Sequence, residues 1–292
     1  MSLASSLITN STAEAYYGWV AINFMSGSFN TGGGDGAANR INEVGLGALD
    51  LGGASTQITV TVDAASPVRG LLTARFNGRS YTLYAQSFLG YGANLFSDKL
   101  KAAAAGNVTN GAGNDPCLLS GTPEEYASYN NMSLRGGSSY AGCKSAAIAA
   151  FELVDESVCY GTDGGCAGLT EAACKCTIEG QGRPAIDSSI SFVGMSNFDR
   201  ILKGSLKVPS TGGWPAAAVA NTAEFCGLNF TEGTARLSGT KAKYVATTCT
   251  TAVQATELMS TAYQLGSNNV AFESYIGKFE VTWALGVSDR SH

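Results

Sequence analysis

Two hydrophobic periods share this chain. Residues 14–25 are apolar on average and read as a helix or a buried segment; the Gly/Asn/Ser-rich stretch Ser26–Gly36 reads as a loop. Residues 43–62 then read as strand, glycine turn and strand, and Gln57–Val62 alternates with period two. Arg75–Tyr84 has the pattern of a hairpin, with Asn77-Gly78 as a type I′ turn. Helical composition returns over Leu95–Ala105, stopped by Gly106, and over Ser145–Val154. Tyr160–Arg183 is loop-like, Ser189–Val193 a short buried strand. Thr251–Leu265 is the pattern of an amphipathic helix, with Gly266 where a left-handed terminating residue belongs. Strands alternate with helices and no fixed-period repeat is present, so the class is α/β.

Composition narrows the function. The 292 residues allow one large domain or two small ones, and 45% hydrophobic with 14% charged residues is a globular balance. The formal net charge is -5 and the cations are scattered singly, which argues against a nucleic-acid partner. No run approaches the length of a membrane span. Met1-Ser2-Leu3 has no cationic flank and leads into polar sequence, so it reads as an added start on a shortened natural chain rather than a signal peptide. The eight cysteines are Cys117, Cys143, Cys159, Cys166, Cys174, Cys176, Cys226 and Cys249. Cys174-Lys175-Cys176 is too tight for a zinc pair and the one histidine is His292, so disulfides are expected. Sequons at Asn10, Asn107, Asn131 and Asn229 agree with an oxidising compartment: the secretory pathway, outside the cell or in an organelle lumen.

The segment richest in chemistry is Asp50-Leu51-Gly52-Gly53-Ala54-Ser55-Thr56-Gln57. Adjacent glycines let backbone N–H groups approach a phosphate without a Cβ in the way. An acid closing the first strand can face a divalent cation, directly or through water. Ser55 and Gln57 lie two apart on a strand and so point to one side. The plainer alternative is an ordinary glycine turn with Asp50 as a turn residue.

This octapeptide resembles the fourth conserved region of the apyrases, the ecto-nucleoside triphosphate diphosphohydrolase and guanosine diphosphatase family. It is also similar to the second phosphate loop of the actin-like superfamily, including exopolyphosphatases, which usually carry Glu where this chain has Gln57. Glu14-Ala15-Tyr16-Tyr17-Gly18-Trp19-Val20 resembles the family's third region, Tyr84–Gly92 its Tyr-Thr-His-Ser-Phe-Leu-x-Tyr-Gly segment, and Trp283-Ala284-Leu285-Gly286 its fifth. Ala15 stands for a usual Gly and Gln86 for a usual His, a change expected to alter hydrogen bonding around the site. The family's first and second regions have no counterpart upstream of Glu14. The resemblance therefore implies the second lobe of such an enzyme over residues 1–275, with 276–292 starting a return toward a missing first lobe.

It further implies a ribonuclease-H-like fold of the actin-like ATPase superfamily, with a mixed sheet flanked by helices and disulfide-stapled insertions. Glu14 would be the general base, where the plainer reading is an acid at a helix N-terminus. Ser55 would help hold the attacking water, Asp50 and Gln57 would orient Ca²⁺ or Mg²⁺ through its water shell, and Gly52, Gly53 and Ala54 would clasp a phosphate. Asn197, Phe198 and Tyr244 are candidates for the nucleobase. Trp19 is expected to pack behind Glu14, and Trp283 beside a docking face. By family likeness and chain order the disulfides would be Cys117–Cys143, Cys226–Cys249 and a nested pair, Cys159–Cys176 with Cys166–Cys174. The competing readings are a catalytically incompetent secreted binding module of the same fold, and a polyphosphate phosphatase.

Overall fold

A computed structural model describes residues 10–29, 45–76, 78–109, 111–210, 212–277 and 279–281. Helix α1 (Asn10–Met25) is buried from Ala15 to Ile22, almost all round, so it forms through tertiary packing rather than as a surface stripe. Two bonds between Asn23 and Leu46 (Leu46 N–H to Asn23 Oδ1, 2.7 Å; Asn23 Nδ2 to Leu46 O, 2.9 Å) tie it to the chain entering β1 (Gly47–Leu51). The glycine turn connects β1 to β2 (Ser55–Thr61), and β3 (Leu72–Phe76) pairs with β4 (Arg79–Leu89) around a two-residue turn in which Gly78 has φ +77°. Asn77 lies outside the described residues.

Helix α2 (Ala93–Gly106) leads into a small sheet of β5 (Val108–Thr109), β6 (Ala112–Asp115), β7 (Ser128–Tyr129) and β8 (Met132–Gly136). Helix α3 runs over Tyr140–Ala150, five residues earlier than its composition suggests, because Ser139 caps it by accepting from the Gly142 amide. After the short α4 (Glu156–Cys159), the cysteine-bearing loop carries the β9 (Cys174–Cys176) and β10 (Gly182–Pro184) hairpin. Strand β11 is Phe192–Ser196, displaced by three residues from the expected Ser189–Val193. A π-helical turn at Phe198–Ser205, then α5 (Trp214–Cys226), α6 (Phe230–Arg236) and α7 (Ala242–Glu257), precede β12 (Val270–Phe272) and the hairpin of β13 (Tyr275–Ile276) and β14 (Phe279–Glu280).

The central sheet has the order β12-β11-β1-β2-β4-β3. Strands β1, β11 and β12 run parallel, while β2, β4 and β3 add antiparallel, giving the expected mixed sheet. Its two faces are distinct. Ala48, Leu83 and Val193 pack with Trp19 and Ile22 of α1; Leu49, Leu51, Ile58 and Phe88 pack with α2, α3, α5 and α7. Helix α7 is not amphipathic as expected: every residue from Thr248 to Glu257 is buried. It passes into a π-helical turn at Leu258–Ala262, and the left-handed residue beyond it is Gln264 at φ +50° rather than Gly266.

Four disulfides staple the fold: Cys117–Cys143, Cys159–Cys176, Cys166–Cys174 and Cys226–Cys249. These are the pairs the resemblance implies. Among the described residues no helix is long and apolar enough to cross a membrane.

Candidate active site

Strand register assembles the site. Asp50 pairs with Gln57, and Gln57 with Ser87, so the three lie in a row across β1, β2 and β4 on one face of the sheet. Ser55, two residues before Gln57, shares that face. Helix α1 covers it and is pinned there by Thr59, whose hydroxyl donates to the Ala15 carbonyl at 2.8 Å. That bond sets the adjacent Glu14 over the row. Glu14 lies beyond the first turn of α1, so it is not a helix-terminal acid.

The Gln57 amide nitrogen reaches Ser55 Oγ at 2.7 Å, Glu14 Oε2 at 2.9 Å and Ser87 Oγ at 2.9 Å. Ser55 Oγ donates to the same Glu14 oxygen at 3.4 Å. Residues 41 and 43 positions apart in sequence thus converge on one carboxylate. Desolvation raises the Glu14 pKa most, the neighbouring Asp50 charge adds to it, and Ser55 pulls it down. Burial also raises Asp50, against hydrogen bonds from Ser196 and the Leu51 backbone and the Arg200 charge.

Two buried oxygens in this row, Asp50 Oδ1 and Gln57 Oε1, have no hydrogen-bond partner. Both are hard donors, on cross-strand neighbours, and they fit Ca²⁺ or Mg²⁺ directly or through water.

The glycine hairpin divides its amides. Gly52 N–H closes the turn on Ser55 O at 3.0 Å, so, contrary to expectation, it is not offered to a phosphate. Gly53 and Ala54 are exposed, and among the described residues their amides have no backbone acceptor. The hairpin's carbonyls are held by the start of α2: Ala93 N–H donates to Gly52 O and Asn94 N–H to Gly53 O, both at 2.9 Å. Gly92 makes this approach possible, since a Cβ there would lie 2.3 Å from Ser55 N.

The expected nucleobase residues do not form one platform. Phe198 is fully buried in the core and offers no face for stacking. Asn197 supports the hairpin instead, its Nδ2 donating to Leu51 O at 2.8 Å. Tyr244 is 55% exposed at the start of α7, with Lys243 Nζ 4.9 Å over its ring. Gln86 pairs with Ile58 and therefore lies on the opposite face from Glu14, so its replacement of a His does not reach this cluster. Trp19 is fully buried beneath α1; Trp283 lies outside the described residues. Ser87 and Ser196 escaped sequence reasoning, because an isolated serine carries no signal until register places it.

Fold and site together define a disulfide-bonded α/β protein with an oxygen-rich, half-buried cluster beside a glycine hairpin. The model of the GDA1/CD39 (nucleoside phosphatase) family matches residues 4–289, and the chain belongs to that family, whose fold is that of the actin-like ATPases. It is 26% identical to human ectonucleoside triphosphate diphosphohydrolase 2, over 96% of this chain and 57% of that protein. Probable apyrase 5 of Arabidopsis thaliana is 24% identical, over 96% of this chain and 56% of the relative. Human ectonucleoside triphosphate diphosphohydrolase 6 reaches 40% identity over 38% of this chain and 22% of that protein. The chain thus spans little more than half the length of the first two. A solved exopolyphosphatase-like protein aligns with a TM-score of 0.37 and 12% identity, over 95% of this chain and 66% of that one, too weak to bear on function.

Proposed function

We propose that this chain supplies the water-activating lobe of an enzyme that hydrolyses nucleoside tri- and diphosphates to monophosphate and phosphate. The observation that supports it best is the convergence of Ser55 and Gln57 on Glu14 Oε2, beside the exposed Gly53 and Ala54 amides. Phosphoryl transfer asks the protein for a positioned water, phosphate contacts and charge neutralisation. Glu14 accepts a proton from the water, and its raised pKa brings it nearer the range useful to a base. Ser55, whose hydroxyl both donates and accepts, holds that water against the carboxylate. The Gly53 and Ala54 amides bind the phosphate oxygens. Asp50 and Gln57 would hold Ca²⁺ or Mg²⁺ through water, and the bound ion would supply charge neutralisation on the phosphates.

On this reading the chain is a lobe of the ribonuclease-H-like type, its partner an upstream lobe that closes the phosphate clamp, and its place is the secretory pathway. The test is phosphate release from ATP and ADP with Ca²⁺ or Mg²⁺, by this chain and by a version carrying the upstream half. Turnover confined to the longer form and lost in Glu14→Ala supports the reading. Full turnover in Glu14→Ala refutes it.

A further inference from the structure

Arg183, on β10, lies far from the uses above. It is 2% exposed. Its hydrogen bond runs from Nη1 to the Pro184 carbonyl at 2.9 Å, and its buried Nε–H has no acceptor. No salt bridge among the described residues includes it, and the charges acting on it are phenols, Tyr84 and then Tyr160, with no carboxylate. Burial pushes its pKa down to about 10. A guanidinium there is still protonated at neutral pH, and burying it without a counter-charge is costly.

The two phenols differ. Tyr160 Oη donates to the Cys174 carbonyl at 2.8 Å and is satisfied. Tyr84 Oη is fully buried and has no partner. An N–H and an O–H therefore stand unmatched in each other's field, and both can donate. A neutral acceptor would satisfy the donors but leave the charge. A small anion meets both requirements.

The guanidinium is also fixed in place. Arg183 pairs with Lys175 in the β9–β10 hairpin, whose β9 cysteines are bridged to Cys159 and Cys166. Gly182 and Gly165 pack backbone to backbone beside it, a Cβ on Gly182 falling 2.1 Å from Gly165 O. A cleft of about 280 Å³, lined by Val68, Arg69, Gly165 and Gly182 among others, reaches the residue next to Arg183 and carries a second cation, Arg69.

We infer that Arg183 Nε and Tyr84 Oη form a binding site for a small inorganic anion of the halide class, distinct from the phosphate hairpin. Bromide is the probe. In thermal unfolding at matched ionic strength, bromide in place of gluconate should raise Tm saturably, by about 2–4 °C for a chain of this size class. Tyr84→Phe should move the bromide midpoint up by about tenfold or more, since a hydrogen bond to a charged group is lost. Bromide-soaked crystals should show anomalous density within hydrogen-bond reach of Nε, which decides the matter even where the variant fails to fold. Superimposable bromide and gluconate curves for the native chain, or a peak at Nε without anomalous signal, overturn the inference.

Discussion

Asp50 and Glu14 show how a residue can be placed at the expense of stability. Burial raises both pKa values, so the folded chain holds these protons more tightly than the unfolded chain. Their contribution to stability is greatest in acid and is lost as pH rises from the ordinary value, 3.8 for Asp50, through the raised folded one. Asp50→Asn is therefore expected to raise the melting temperature at neutral pH, with the gain vanishing below that ordinary value. A melting temperature lowered by Asp50→Asn at pH 7 would mean that the buried carboxylate is stabilised by more than is seen. The roles of Glu14, Asp50, Ser55 and Gln57 were legible because strand periodicity fixes which side chains share a face. Phe198 and Asn197 were misplaced because β11 ends three residues later than its apolar run implies, putting Asn197 under the hairpin and Phe198 in the core.

The β1–β2 hairpin and the start of α2 behave as one element. Leu89–Ala93 approaches the hairpin so closely that a Cβ on Gly92 would fall 2.3 Å from Ser55 N and 2.4 Å from Ala54 N, both rigid backbone. Gly92→Ala is expected to cost about 1–3 kcal/mol by overpacking and to lower activity further by displacing Ser55. Chemical denaturation with a parallel rate assay reads both; an unchanged midpoint would show that the contact relaxes freely. Sequence patterning found the strands and α2 well, since edge-to-centre alternation and a terminating glycine are strong signals. It mistook α7, where buried Thr248, Thr250, Thr251 and Thr256 look polar in sequence but satisfy themselves partly by bonds to their own helix, such as Thr248 Oγ1 to Tyr244 O at 2.8 Å. It passed over α5, although Pro215 in its first turn marks a helix start.

Across the whole molecule, the site face is held by packing and the opposite face partly by covalent bonds. Cys117–Cys143 links the end of β6 to α3, and Cys226–Cys249 links α5 to α7, all four cysteines being fully buried in the larger core. Replacing Cys117 and Cys143 together by Ala is expected to cost about 2–5 kcal/mol, measured by denaturant unfolding. Because that bond lies across the sheet from Glu14, the variant should keep its hydrogen-bonded cluster and its rate where it remains folded. A loss of rate without loss of stability would argue that the two faces are coupled.

The central claim is that the Glu14 carboxylate activates water at the glycine hairpin. The measurement that tests it most directly is the pH dependence of kcat/KM for ATP hydrolysis by the chain joined to its upstream half. The native protein should lose rate in acid along a limb set above the ordinary glutamate range. Glu14→Gln should lose that limb and about 10²–10⁴ in rate while still binding nucleotide. A Glu14→Gln variant that keeps both the rate and the limb would contradict the account.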